Sequence, residues 1–204
     1  MDDISFIHNA WNTCLELAKD RNYVVDENYY KLNETEFKYL YNENKLDIVC
    51  SKENNNIEKK KLYIKFLLYH KIKPSYIKEV INEIKEQIDM KDLELILVLK
   101  IKPNNTILKL QRDINLGLFQ IMWCKKLQFN PIKHELVPKH TKISETEADK
   151  LLINYNLKNK FQLPIILRED VISQYYNYQQ GDIIKITNTA TSLNKEYIFY
   201  RCVK

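Results

Sequence analysis

Two spacings of apolar residues divide this chain into helices and strands. Ile4, Ile7, Trp11, Cys14, Leu15 and Ala18 recur every three or four positions. They predict an amphipathic helix over 4–19, with a turn across Asp20 to Val25. Asn33 followed by Glu36 is a capping box. A second helix is therefore expected to about Asn42, with Phe37, Leu40 and Tyr41 on its apolar side. Leu46 to Cys50 reads as a short strand, the polar stretch 51–61 as an exposed loop, and Leu62 to Tyr69 as a strand. Ile77, Val80, Ile81, Ile84 and Ile88 form one stripe of a helix over 75–88 that begins behind Pro74. Leu93 to Leu99 is nearly all aliphatic, as a strand buried on both faces should be. Pro103-Asn104-Asn105 breaks the chain. A short helix over 106–112 and a strand over 116–123 come next. Strands alternating with helices are the rhythm of an α/β layer around a partly parallel sheet.

The pattern changes after Pro131. His134-Glu135-Leu136-Val137-Pro138-Lys139-His140 carries no periodicity and marks a boundary. Pro138 stiffens it, Leu136 and Val137 are expected to anchor in the core of the C-terminal part, and Lys139 to face solvent or a partner. Ser144 with Glu147 is a second capping box, opening a helix that ends near Tyr155-Asn156. Leu163-Pro164-Ile165-Ile166 is extended, because a residue before proline is pushed out of the helical region. Asp170 caps a short helix to Tyr176. Gly181 marks a turn, and 182–187 and 197–203 alternate as two strands joined by the polar segment 188–196. Two domains result, 1–133 and 134–204. The fold class is α+β: an N-terminal α/β domain and a small C-terminal α+β module.

Composition sharpens this picture. At 45% hydrophobic residues the 204-residue chain buries a sizeable core. With 2 glycines there is no Gly-rich phosphate loop. The net charge of +5 is mild. Residues 134–204 carry 10 Lys/Arg against 8 Asp/Glu, and 1–133 carry 22 against 19, so neither part is a basic arm. The acidic start is not followed by an apolar leader, and no run approaches the ~20 apolar residues of a membrane span. Cys14, Cys50, Cys124 and Cys202 include no C-x-x-C pair. A reduced intracellular protein with buried thiols is expected, without a membrane partner.

Candidate chemistry is thin. Glu83-Ile84-Lys85 has the Glu-x-Lys spacing of some Mg²⁺ nucleases, but it falls mid-helix, where residues two apart do not share a face. Asp92 and Glu94 flank a strand start without a lysine two positions on. His134 and His140 lie six apart with Cys124 as the nearest thiol, too few ligands for a zinc site. Lys59-Lys60-Lys61 and Tyr175, Tyr176 and Tyr178 have the chemistry to touch phosphate and bases, but such a run is more often simply solvated, and clustered aromatics beside an apolar run are far more often core or interface. No catalytic residue, cofactor or metal is expected.

From His134 to His140 the chain resembles the signature that opens the small H subunit of archaeal RNA polymerase. The same module ends the fifth small subunit shared by eukaryotic RNA polymerases I, II and III. The likeness continues in order through Ser144, Glu147, Leu151-Leu152, Tyr155-Asn156, Gln162-Leu163-Pro164, Ile166, Asp170, Tyr175-Tyr176, Gly181-Asp182, Lys185-Ile186 and Tyr200-Arg201. The N-terminal part is similar to the eukaryotic form through Leu15 to Tyr23, Phe37 and Leu93 to Leu99. Departures are Asn22 where a glycine is usual, Lys102 in place of the threonine of a Thr-Pro-Ser-Ala turn, and Val171 in place of a proline. Residues 187–192 also replace an arginine- and proline-containing segment.

The resemblance implies a non-catalytic subunit of a multisubunit DNA-dependent RNA polymerase. Its 1–133 domain would have a nuclease-like fold without metal-binding residues and form part of the lower jaw. Lys102, Pro103 and Asn104 would lie close to downstream duplex DNA, in weak, sequence-independent contact. The 134–204 module would dock on the largest subunit and assemble with the others, through a set that includes His134, Pro138, His140, Pro164, Tyr175, Tyr176, Gly181, Ile186 and Arg201. The Asn, Lys and Ile bias points to a large DNA virus or an AT-rich eukaryote, hence to the nucleus, a cytoplasmic viral factory or the virion. The alternatives are a divergent nuclease-fold protein and a standalone DNA-binding transcription regulator.

Overall fold

Leu93 to Leu99 is buried at all seven positions, and the first half of the molecule is built around it. The computed structural model describes residues 3–52, 60–69, 72–88, 93–113, 118–190 and 195–204. These form two compact units, 1–129 and 130–204. No helix among the described residues is long and apolar enough to cross a membrane.

The first unit contains α1 (Asp3–Asp20), α2 (Glu27–Tyr30), α3 (Glu34–Asn42), α4 (Pro74–Gln87) and α5 (Asn105–Asp113). Its strands are β1 (Ile48–Ser51), β2 (Lys61–Leu67), β3 (Leu93–Leu99) and β4 (Leu118–Trp123). They lie in the order β1-β2-β3-β4. β2, β3 and β4 are parallel and β1 is antiparallel at the edge. Parallel neighbours need crossovers, and right-handed crossovers that step along a sheet in one direction put their helices on one face. So α4 and α5 share a face. There Ile77, Val80, Ile81, Ile84, Ile107 and Leu110 pack on Leu95, Leu97, Leu99, Phe119 and Ile121. Each such aliphatic side chain contributes about 1.5–3 kcal/mol on full burial. Successive strand residues alternate in direction, so Glu94, Ile96 and Val98 point to the opposite face. On that face Glu94 meets Arg21 at the exit of α1, and the α1 Trp11 indole N–H donates to the Leu46 carbonyl at 3.1 Å.

The second unit contains β5 (Lys139–Lys142), α6 (Glu145–Asn154), β6 (Ile165–Ile166), α7 (Val171–Tyr176), β7 (Ile183–Ala190) and β8 (Lys195–Val203). The strand order is β5-β7-β8-β6, with β6 parallel to β8 and the other pairs antiparallel. Leu151, Leu163, Ile183 and Cys202 form a core on one face, and Ile166, Ile172, Tyr178, Ile184, Ile186 and Val203 on the other.

The sequence expectations are met closely for both capping boxes, for the Asp170 cap and for β3. Four differ. β5 begins in the last two residues of the segment expected to be a plain boundary, α2 was not expected, and β7 and β8 take up both ends of the segment 188–196 expected only to join them. Leu136 does not anchor in the core: it is 83% exposed, and Val137 alone of the two packs inward. Leu136 lies within a turn closed by the Val137 N–H on the His134 carbonyl at 2.9 Å, so its side chain stands out at the bend. The polar loop 53–59, including Lys59, and Asp92 lie outside the described residues.

Candidate functional site

Glu94, the described one of the two carboxylates weighed at the start of β3, is already engaged. Glu94 is 6% exposed and Arg21, at the exit of α1, is 7% exposed. The Arg21 Nη1 donates to Glu94 Oε1, Nη2 donates to Gln120 Oε1 at 2.8 Å, and the Tyr23 hydroxyl donates to Glu94 Oε2 at 2.8 Å. Both carboxylate oxygens are thus engaged in a buried, charge-compensated network. Burial first, and the Glu94 charge second, push the Tyr23 phenol above its ordinary range. Glu83 and Lys85 stand exposed on α4 on either side of buried Ile84, so the Glu-x-Lys spacing assembles nothing.

The turn before α5 places Lys102 and Asn104 at the surface with Pro103 partly buried between them. Asn104 is structural: its Oδ1 accepts the Ile107 N–H at 2.9 Å, capping α5. Lys102 is the member of the three whose side chain carries a charge outward.

Four of the residues expected to dock come together in the second unit. Pro138, His140, Ile186 and Arg201 line a groove of about 520 Å³, together with Leu136, Val137, Ile166, Asp170, Ile172, Asn188 and Phe199. The register explains the floor: His140 faces Ile186, and Ile186 faces Phe199, so one face of β5, β7 and β8 is presented. One wall is the 136–138 segment and the other the start of α7. Phe199, 53% exposed, and Leu136 are the apolar residues most open to solvent here. The His140 Nδ1–H donates to the Pro138 carbonyl at 2.7 Å, and His134 Nδ1 accepts the Leu136 N–H at 3.2 Å. The two histidines therefore shape their own segment.

The other expected docking residues lie apart from the groove. The Pro164 carbonyl accepts the Cys202 N–H at 2.8 Å. Tyr175 is core, its ring edge-on to Tyr176 at 5.5 Å, and Tyr176 stacks on Tyr178 at 5.4 Å. These rings are committed to each other rather than open to bases. Gly181 has φ +86, a backbone conformation in which an L side chain is strained, so the position suits glycine. Leu136, Val137, Ile166, Asp170, Ile172, Asn188 and Phe199 were not among the expected docking residues; Leu136 was expected in the core and Asn188 in a joining segment. For Phe199 the available signal was the unbroken apolar run Tyr197-Ile198-Phe199-Tyr200, since a strand apolar on both faces needs two covers.

All four cysteines are free and buried. Burial pushes the Cys50 thiol up to about 11 and Cys124 to about 12, and raises Cys14 and Cys202 as well. Thiols held this far above neutrality are not nucleophiles.

Comparison with known proteins matches this architecture. Residues 2–84 match the family described as RNA polymerase Rpb5, N-terminal domain, and residues 129–203 match RNA polymerase Rpb5, C-terminal domain. The chain is 30% identical over 195 residues to DNA-directed RNA polymerase V subunit 5A of Arabidopsis thaliana, covering 93% of this chain and 84% of the relative. It is 28% identical over 219 residues to the Dictyostelium discoideum subunit rpabc1 of DNA-directed RNA polymerases I, II and III, covering all of both. Subunit Rpo5 of Sulfurisphaera tokodaii is 44% identical over 78 residues, which span 38% of this chain and 90% of the archaeal one. The chain belongs to the Rpb5 family of DNA-directed RNA polymerase subunits.

Proposed function

We propose that this subunit has no active site of its own. Its 1–133 domain contributes to the lower jaw of the polymerase beside downstream DNA, and its 134–204 module docks on the largest subunit. The observation that carries the docking role is the distribution of exposed apolar surface. Among the described residues, ten large apolar side chains stand exposed in 130–204 and seven in the longer 1–129. A small unit with so much apolar surface gains by being covered. The jaw role is supported by the exposed Lys102 at a turn, which suits a phosphate contact that reads no sequence. A non-catalytic role is supported by the engagement of Glu94 with Arg21 and Tyr23. The subunit acts inside the cell, where the polymerase acts.

Affinity purification of the tagged chain from cells that make it tests the reading. Large polymerase subunits are expected in stoichiometric yield. Their absence overturns the docking role.

A further inference from the structure

The groove of the second unit has a chemistry that selects its occupant. Its floor is apolar, formed by Ile166, Ile186 and Phe199, and Leu136 stands beside it almost fully in water. Its polar groups are mostly committed. Asp170 Oδ1 accepts the N–H groups of Ile172 and Ser173 at 2.9 and 3.4 Å, and the His140 Nδ1–H is given to Pro138. Arg201 is different. One Nη1 hydrogen goes to the Ile165 carbonyl at 2.9 Å, and among the described residues no carboxylate pairs with the guanidinium. A guanidinium has five N–H donors in a fork that matches a carboxylate. The groove therefore offers apolar contact beside a guanidinium that no described carboxylate touches, with the capping carboxylate of Asp170 turned to its own helix.

We propose that this groove binds an extended segment of a partner polypeptide in which an Asp or Glu, received by Arg201, is flanked by apolar residues that cover Leu136 and Phe199. That the partner is a polymerase subunit rests on the docking role proposed above. The chemistry of the segment rests on the groove. A polypeptide fits better than a small molecule because the apolar surface does not stop at the groove. Tyr197, also exposed, continues the Phe199 face of β8. From Tyr197 to Arg201 a strand runs about 13 Å, the length of roughly four extended residues. Charge complementarity decides the polar partner: a basic segment would meet Arg201 with repulsion, and a neutral acceptor would form a hydrogen bond about half as strong as a carboxylate's.

The test places the photoreactive residue p-benzoylphenylalanine at position 199 of the full chain, in cells that also make its polymerase. A chain carrying it at the exposed Tyr39 is the control. Irradiation and mass mapping are expected to attach position 199 to a partner segment with a carboxylate within a few residues. Arg201→Gln should lower the yield by about tenfold, as loss of one charge-assisted pair implies, with Arg201→Lys recovering part of it. Matching melting points for these variants confirm that folding is unchanged. Attachment to a second copy of this chain, attachment to a segment without carboxylates, or a yield unaffected by Arg201→Gln overturns the proposal. So does a polymerase that co-purifies without attachment at 199, and that result leaves the docking role standing. Conversely, an Arg201-dependent attachment to an acidic segment of some other protein, with no polymerase recovered, overturns the docking role and keeps the groove's chemistry.

Discussion

Arg21 and Glu94 lie 73 residues apart in the chain and meet in the interior of the first unit. Removing one member of a buried pair leaves the other charged, desolvated and without its counter-ion. Arg21→Ala is therefore expected to cost about 3–5 kcal/mol in urea denaturation, and the double change Arg21→Met with Glu94→Leu distinctly less. The buried thiols make a second prediction. Cys50 and Cys124 hold their protons to about 11 and 12, whereas an unfolded thiol titrates near its ordinary value of about 8.5. Below that value their contribution to stability is whole. As pH climbs toward 11 the unfolded chain loses protons that the folded one keeps, so stability falls. Urea midpoints at pH 7, 9 and 10.5 should decline, and Cys50→Ala with Cys124→Ala should flatten the decline between 9 and 10.5. What the sequence could not disclose at this scale is partnership. Glu94 is visible as a carboxylate at a strand start, but nothing local to it shows that an arginine from the exit of the first helix will neutralise it.

At the scale of elements, local chemistry was read well where it is self-contained. Ser144 and Glu147 exchange hydrogen bonds within four residues: Glu147 N–H to Ser144 Oγ at 3.3 Å, and Ser144 N–H to Glu147 Oε2 at 3.0 Å. Ser144→Ala should cost about 1 kcal/mol in thermal or urea unfolding of the second unit. Backbone hydrogen bonding to the Ser144 N–H, the larger cause, and to its hydroxyl holds the Glu147 carboxyl below the usual carboxylate range. β5 escaped because Lys139-His140-Thr141-Lys142 has no apolar alternation. It is an edge strand, held by its pairing with β7, and edge strands rich in lysine are a normal protection against stray pairing. The exposed Leu136 escaped for a related reason: a leucine reads as core until something says which neighbour already fills the place.

At the scale of the molecule, a change of pattern near Pro131 led the sequence reading to a boundary between 133 and 134, and the structure divides into compact units 1–129 and 130–204. The groove was legible only in part. Pro138, His140, Ile186 and Arg201 were among the expected docking residues, but a sequence does not say that they share one face of a sheet while Pro164, Tyr175 and Gly181 do not. The archaeal relative spans little more than the second unit. Residues 130–204 expressed alone should therefore unfold in a single cooperative transition, as followed by circular dichroism with urea.

The register of the second sheet also orders its assembly in time. Ala190 faces Lys195 a few residues away, whereas Ile165 faces Cys202 and Lys139 faces Thr187 across 37 and 48 residues of chain. Closing a longer loop costs more entropy before any contact repays it. The β7–β8 ribbon is therefore the nucleus, and β5 and β6 are late additions to its two sides. Substitutions in the ribbon, such as Ile184→Val, should slow refolding. Substitutions in β5 should leave the refolding rate nearly untouched and speed unfolding instead.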